Sequence, residues 1–172
     1  MSLYDQEWKM AVYGIPLFDG SSPILTRAWL DNVEECFPLT EDGKDMRGCL
    51  ARIRLTGKAE KCMRRLIPND WEGFRERMID NFNPDVAYAQ MTAAITSGKR
   101  YIGLGKIRAI EAAEDDYNDI LTYHGTKSTE LAPFILIALC KLFPSQVITA
   151  AQLDLYGDFK RQIFGLRILI ST

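Results

Sequence analysis

The chain has one histidine, His124, and four cysteines, none close enough to another to suggest a shared metal ion. Catalytic triads with a histidine base therefore have one candidate, and no serine or cysteine nucleophile motif accompanies it. Cys36, Cys49, Cys62 and Cys140 lack the paired spacing of zinc sites. All but Cys49 border large apolar neighbours, which predicts buried free thiols. No run approaches the ~20 apolar residues that span a bilayer. Asp5, Glu7 and Lys9 interrupt any charged-then-apolar leader pattern, so a cytoplasmic protein with no membrane partner is expected. The glycines of Gly98-Lys99-Arg100 and Gly103-Leu104-Gly105-Lys106 fit neither a phosphate loop nor a dinucleotide fingerprint and read as turns. With no residue set supplying nucleophile, base and charge stabiliser together, the expectation is a non-enzyme with no cofactor and no metal. A net charge of -2 and a pI near 5.5 also exclude a surface that grips nucleic acid all over, leaving room only for a local contact.

What is present is apolar residue at helical spacing. At 172 residues and 47% hydrophobic content, the chain can bury one good core or two small helical ones. Periodicity and punctuation predict an all-α fold of about nine helices. Ser22-Pro23 opens a helix with Leu25, Trp29, Val33 and Phe37 on one face, and Pro38 ends it. Thr40 caps a second helix bearing Met46, Cys49, Leu50 and Ile53, and a short third runs from Gly57 to about Leu66. Asp70 caps a fourth, with Trp71, Phe74, Met78 and Phe82 as its stripe. Asn83-Pro84 marks a boundary, because the residue before proline is pushed out of helical conformation. The expected domains are 1–84, with an N-terminal arm or short hairpin over Met10 to Phe18, and 85–172. The second would hold helices from Val86 to Ser97, through Ile107, Ile110, Tyr117, Ile120 and Leu121, through Leu131, Phe134, Ile135, Ala138 and Leu139, from Ser145 to Leu155, and from Asp158 to Ile170.

Between Pro16 and Pro84 the landmarks fall in one order. They are Pro16-Leu17-Phe18-Asp19-Gly20, Trp29-Leu30, Phe37, Leu55-Thr56-Gly57-Lys58-Ala59, and Trp71-Glu72-Gly73-Phe74 running to Phe82-Asn83-Pro84. This order resembles the Gag capsid region of gypsy-class LTR retrotransposons. Phe18 and Gly20 allow a tight turn that lays an aromatic ring on the core, and Gly57 and Ala59 let helices approach. The resemblance makes Phe18, Gly20, Trp29, Leu30, Phe37, Leu55, Gly57, Ala59, Trp71, Phe74 and Phe82 the signature core. It implies N-terminal and C-terminal lobes like those of retroviral capsids, the second being the dimerisation lobe. It further implies that the chain's main partner is itself, in hexamers, pentamers and virus-like particles in the cytoplasm. The pattern departs at Cys62, where many relatives carry tryptophan, and the stretch from Gly98 to Ile110 is longer than the family's usual connection. A Cys-Cys-His-Cys knuckle or basic tail for packaging RNA is missing, as in a trimmed capsid segment or a domesticated cellular relative. Two other readings remain: a capsid-like factor that interferes with Gag assembly, and a helical peptide-binding adaptor.

Two charged clusters stand out. Arg52, Arg54, Lys58, Lys61, Arg64 and Arg65, relieved only by Glu60, form a basic patch facing either a capsomer pore or RNA, or else a solvated helical face. No aromatic residue interleaves with these charges, which weakens base stacking. Glu111, Glu114, Asp115, Asp116 and Asp119 lie along one predicted helix and read as an exposed acidic face rather than a metal site. That face could attract a basic helix of a neighbouring copy.

Overall fold

The computed structural model describes residues 10–37, 47–65, 70–126, 129–142 and 159–171, the side chains of 162, 166 and 168–171 excepted. Among them the fold is all-helical. A 3-10 turn, Pro23–Leu25, precedes α1 (Thr26–Cys36), α2 (Arg47–Ile53), α3 (Gly57–Met63), α4 (Trp71–Asn81), α5 (Pro84–Thr96), α6 (Lys106–His124), α7 (Ala132–Cys140) and α8 (Phe159–Ser171). The expected Thr40 cap, Met46 and the Ser145 to Leu155 helix lie outside the described residues. The chain divides into two compact units between Ala87 and Tyr88, close to the boundary read at Pro84. Asn83 does not simply end a helix there. Its Oδ1 accepts from the backbone N–H groups of Asp85 and Val86 at 3.0 and 3.2 Å, and Pro84 starts α5 without needing a donor.

In the first unit α1 packs on α2 and α4, and α4 also receives α2 and α3. Phe18 sits 5.3 Å from the Trp29 ring and edge-on to Phe82 at 5.8 Å, while Trp71 stacks on Phe74. Met10 to Phe18 is neither a free arm nor a hairpin. Residues 10–13 are helical, Val12 and Ile15 enter the core, and the chain then runs extended to a single parallel bridge between Phe18 and Leu55. Phe18 N–H donates to Arg54 C=O, Thr56 N–H to Phe18 C=O, and Ala59 N–H to Asp19 C=O, at 2.9 to 3.0 Å. The last of these satisfies one of the N–H groups that the start of α3 leaves over. Indole N–H groups are also used: Trp29 donates to Pro16 C=O and Trp71 to Glu34, at 2.8 and 2.7 Å.

The expected stripe of α4 is buried as read, with Asp70 accepting from Gly73 N–H at 2.6 Å as its cap. The expected face of α2 is buried only in part, with Leu50 packed against the core. Gly48 and Ala51 face inward, with Gly48 close to the Phe74 side chain, whereas Ile53 and Cys49 are exposed. Small residues let the two helices approach, and Ile53, two positions from Ala51, falls on the opposite side of the helix. The thiols of Cys36, Cys62 and Cys140 are free but only half-buried, because each sits at the flank of its helix rather than at its inward centre.

In the second unit α6 packs against both α7 and α8. Ala109, Ile110, Ala113, Tyr117 and Ile120 form the inward stripe of α6, and Leu131, Ile135, Leu136, Ala138 and Leu139 meet it from the α7 region. Ile107 and Phe134, both expected in the apolar sets, are exposed instead. Gly125, at φ +67°, ends α6 in the left-handed conformation that glycine favours.

Gly20 has φ +85°, and a Cβ there would run into the Phe82 ring. Gly103 also has positive φ but faces open space. Gly20→Ala should therefore cost about 2–4 kcal/mol and Gly103→Ala about 1 kcal/mol, read from urea midpoints. Equal losses would contradict the packing described for Phe82.

Candidate functional site

The six basic residues do not form one surface. Arg54 is structural: its Nε donates to Ile15 C=O at 2.7 Å, and its guanidinium lies 5.8 Å from the Tyr13 ring centroid. Arg52 is half-buried, with Nη2 enclosed and without a hydrogen-bond partner among the described residues. Arg64 pairs with Glu60 one turn back at 2.7 and 2.9 Å, which pulls the Glu60 carboxyl below its ordinary range. Such an exposed pair adds little stability. Lys58, Lys61 and Arg65 remain exposed, three and four residues apart, and so line one stripe along α3 and the turn after it. Three cations in a row can meet phosphates or carboxylates without reading a sequence.

The acidic run resolves differently from the exposed face expected. Asp116 is 5% exposed. Its carboxylate accepts two hydrogen bonds from Arg100, at 2.9 and 3.0 Å, and one from the Tyr101 hydroxyl at 3.0 Å. Tyr101 itself is fully buried, and burial, then the Asp116 charge, pushes its phenol well above the ordinary range. Together these contacts bolt the 97–105 segment to α6. Burial, reinforced by the charges of Asp116 and Asp115, pushes Asp119 up to about 6. Glu114 pairs with Arg167 of α8 at 2.8 Å, leaving Glu111 and Asp115 as the outward acids. Among the described residues no cluster of His, Cys, Asp and Glu could hold a metal ion.

The sequence reading missed the role of Asp116, although its helical phase carries the signal: it falls on the same face as Ala109, Ala113 and Ile120. It also missed a cavity of about 370 Å³ lined by Glu114, Tyr117 and Asn118 of α6 and Phe159, Lys160, Phe164 and Arg167 of α8. Tyr117 and Phe159 stack there with ring centroids 4.0 Å apart. His124 is exposed, with Nε2 3.1 Å from the Tyr88 hydroxyl and its ring edge-on to Tyr88 and Tyr123. Its partners are phenols, which suits packing between α5 and α6.

Comparison with known proteins returns no match: no family model, no curated protein and no solved structure is significantly similar to this chain. Among the described residues no helix is long and apolar enough to cross a membrane.

Arg54→Gln should lower the stability of the first unit by about 1–2 kcal/mol, because it loses a charged donor to a partly buried carbonyl. A Lys58→Glu, Lys61→Glu, Arg65→Glu variant should unfold within about 0.5 kcal/mol of the parent yet weaken any retention on single-stranded RNA. An unchanged retention would remove that stripe from the site.

Asp119 supplies a pH test. Its folded pKa lies above the ordinary 3.8, so ionisation opposes folding, and the stability present below about pH 4 is lost as pH rises through about 6. Asp119→Asn should match the parent near pH 4 and exceed it near pH 7 in thermal unfolding. Parallel curves for the two proteins would refute this assignment.

Proposed function

We propose that this chain is a structural capsid protein of a gypsy-class LTR retrotransposon-like element, whose copies associate into hexamers and pentamers and close a virus-like shell. One observation carries the reading: the residues of the resemblance converge on a single core. Phe18, Trp29, Leu30, Phe37, Leu55, Ala59, Trp71, Phe74 and Phe82 are all buried, and Gly20 and Gly57 occupy positive φ where the chain turns toward them. Division into two small helical units is also the organisation that the reading requires.

The mechanism is geometric rather than catalytic. Closed symmetry repeats each contact, so interfaces of modest strength add up and no single one need be tight. The stripe of Lys58, Lys61 and Arg65 would be multiplied around a capsomer, concentrating positive charge where RNA or a pore anion can meet it. A helical peptide-binding adaptor is the second reading, favoured by the cavity between α6 and α8.

Negative-stain microscopy and light scattering over a range of salt and protein concentration separate the two. A capsid protein gives uniform shells or capsomers that grow with concentration. A strictly monomeric protein at high concentration, binding one unrelated partner at fixed stoichiometry, would replace the capsid reading by the adaptor.

A further inference from the structure

The stretch from Val86 to Ile110 contains no aspartate or glutamate, while its second half holds Lys99, Arg100, Lys106 and Arg108. Within it, the segment between α5 and α6 and the first turn of α6 leave Ile102, Leu104 and Ile107 at 65%, 40% and 66% exposure. Single exposed aliphatics are ordinary on a protein surface, but three within six residues form a patch. The backbone there is ordered by its own turns. Ile102 N–H donates to Lys99 C=O at 3.4 Å, Leu104 N–H to Tyr101 C=O at 3.3 Å and Ala109 N–H to Gly105 C=O at 2.8 Å. The buried Tyr101 and the Arg100 guanidinium, both bonded to Asp116, hold the base. Gly103 turns the chain at φ +89°, and no atom beyond the adjoining residues lies within 4 Å of a Cβ position at Gly103 or Gly105, so the tip stands clear of its unit.

Cations flank this tip. Lys99 and Arg108 are exposed before and after it, Lys106 opens α6, and the Lys141 ammonium comes from the end of α7 to 3.1 Å from where a Cβ would stand at Gly98. Arg100 is matched by Asp116. The positive end of α6 lies at the same place, since Gly105 has no side chain to cap the helix. Along the chain the next acid is Glu111, exposed one turn beyond Ile107. The charge therefore calls for an anionic partner, and the aliphatics decide which kind. Nucleic acid would meet the cations but leave Ile102, Leu104 and Ile107 in water, and the neighbouring Tyr101 ring is buried away from any base. A protein partner would have to offer a recess shaped to a convex tip. An anionic bilayer deforms around such a tip, takes the aliphatic side chains toward its acyl region and meets the cations with its headgroups. Lysine and arginine suit that depth, with apolar stems below and charged ends at the headgroups.

We propose that the Ile102 to Ile107 tip docks this protein on bilayers rich in anionic phospholipid, its aliphatic side chains entering the headgroup layer and Lys99, Lys106, Arg108 and Lys141 meeting the lipid anions. This goes beyond the self-assembly reading and does not rest on it. Among the described residues no helix is long and apolar enough to cross a membrane, but a tip that enters one leaflet needs none. Because the tip is already ordered by its turns and by Asp116, docking costs little conformational entropy. A single tip of this size attaches weakly and reversibly.

Flotation of the full chain with vesicles tests this. Vesicles of phosphatidylcholine with about one-third phosphatidylserine should carry the protein upward at low salt, and vesicles of phosphatidylcholine alone should not. Added salt should weaken the attachment by screening the headgroup charge. Ile102→Ser with Leu104→Ser should reduce it about tenfold or more. Lys99→Gln with Arg108→Gln should reduce it roughly 25-fold, about fivefold per cation. Both pairs lie at exposed positions, and circular dichroism checks that helix content is kept. Lys58→Gln with Lys61→Gln, in the other unit, should float like the parent. No flotation with the anionic vesicles, equal flotation with both kinds, or a serine pair that floats like the parent would overturn the proposal. So would retention on single-stranded RNA that the glutamine pair loses and the serine pair keeps, without flotation, which would give the cations to nucleic acid. Flotation registers single copies and assemblies alike, so its failure is distinct from a failure of self-assembly.

Discussion

Three backbone hydrogen bonds between the segment around Phe18 and the segment around Leu55 set the form of the first unit. They hold an extended piece of chain, which has no helix to satisfy its own polar groups, against the junction of α2 and α3. With that strip in place, the Phe18 ring is delivered between Trp29 and Phe82, and α1 and α4 close over it. Gly20 then lets the chain turn away at the point where the Phe82 ring leaves no room for a side chain. Arg54 and Trp29 lock the strip further by taking the carbonyls of Ile15 and Pro16. The landmarks Phe-x-Gly and Leu-x-Gly-x-Ala are thus two halves of one junction, which explains why neither is informative without the other.

The second unit depends on a different constraint. Its α6 carries a carboxylate on the inward stripe, and an ionised group there is tolerable only with its partners supplied. Arg100 and Tyr101 supply three hydrogen bonds to Asp116, so an otherwise irregular turn of glycines and cations becomes a fixed part of the unit. The nearby Asp119 is raised first by its own burial and then by the same Asp116 charge, together with that of Asp115.

Much of the helix plan was legible because apolar spacing and punctuation agree along α1, α4 and α6. Asp70 and the Trp71, Phe74, Met78 and Phe82 stripe stand where local rules put them. Ile53 was misplaced because size alone suggests burial, whereas the close approach of α2 to α4 selects Gly48 and Ala51. Asp116 was misread because a run of five acids looks like a solvated face until helical phase is applied residue by residue. The basic patch was legible as composition but not as a surface, since the carbonyl that claims Arg54 lies thirty-nine residues earlier in the chain. The cavity between α6 and α8 joins elements distant in sequence, and no local pattern announces it.

The strip around Phe18 has a consequence for biosynthesis. Its partner at Leu55 and its covering ring at Phe82 are both made later, so the earliest residues of the first unit must wait without a core while the ribosome adds more than sixty others. Closing such a loop is entropically costly, and only the arrival of the α4 aromatics offsets it. The first unit therefore acquires its structure in one late step, once Phe82 has cleared the exit tunnel, rather than helix by helix as the chain emerges.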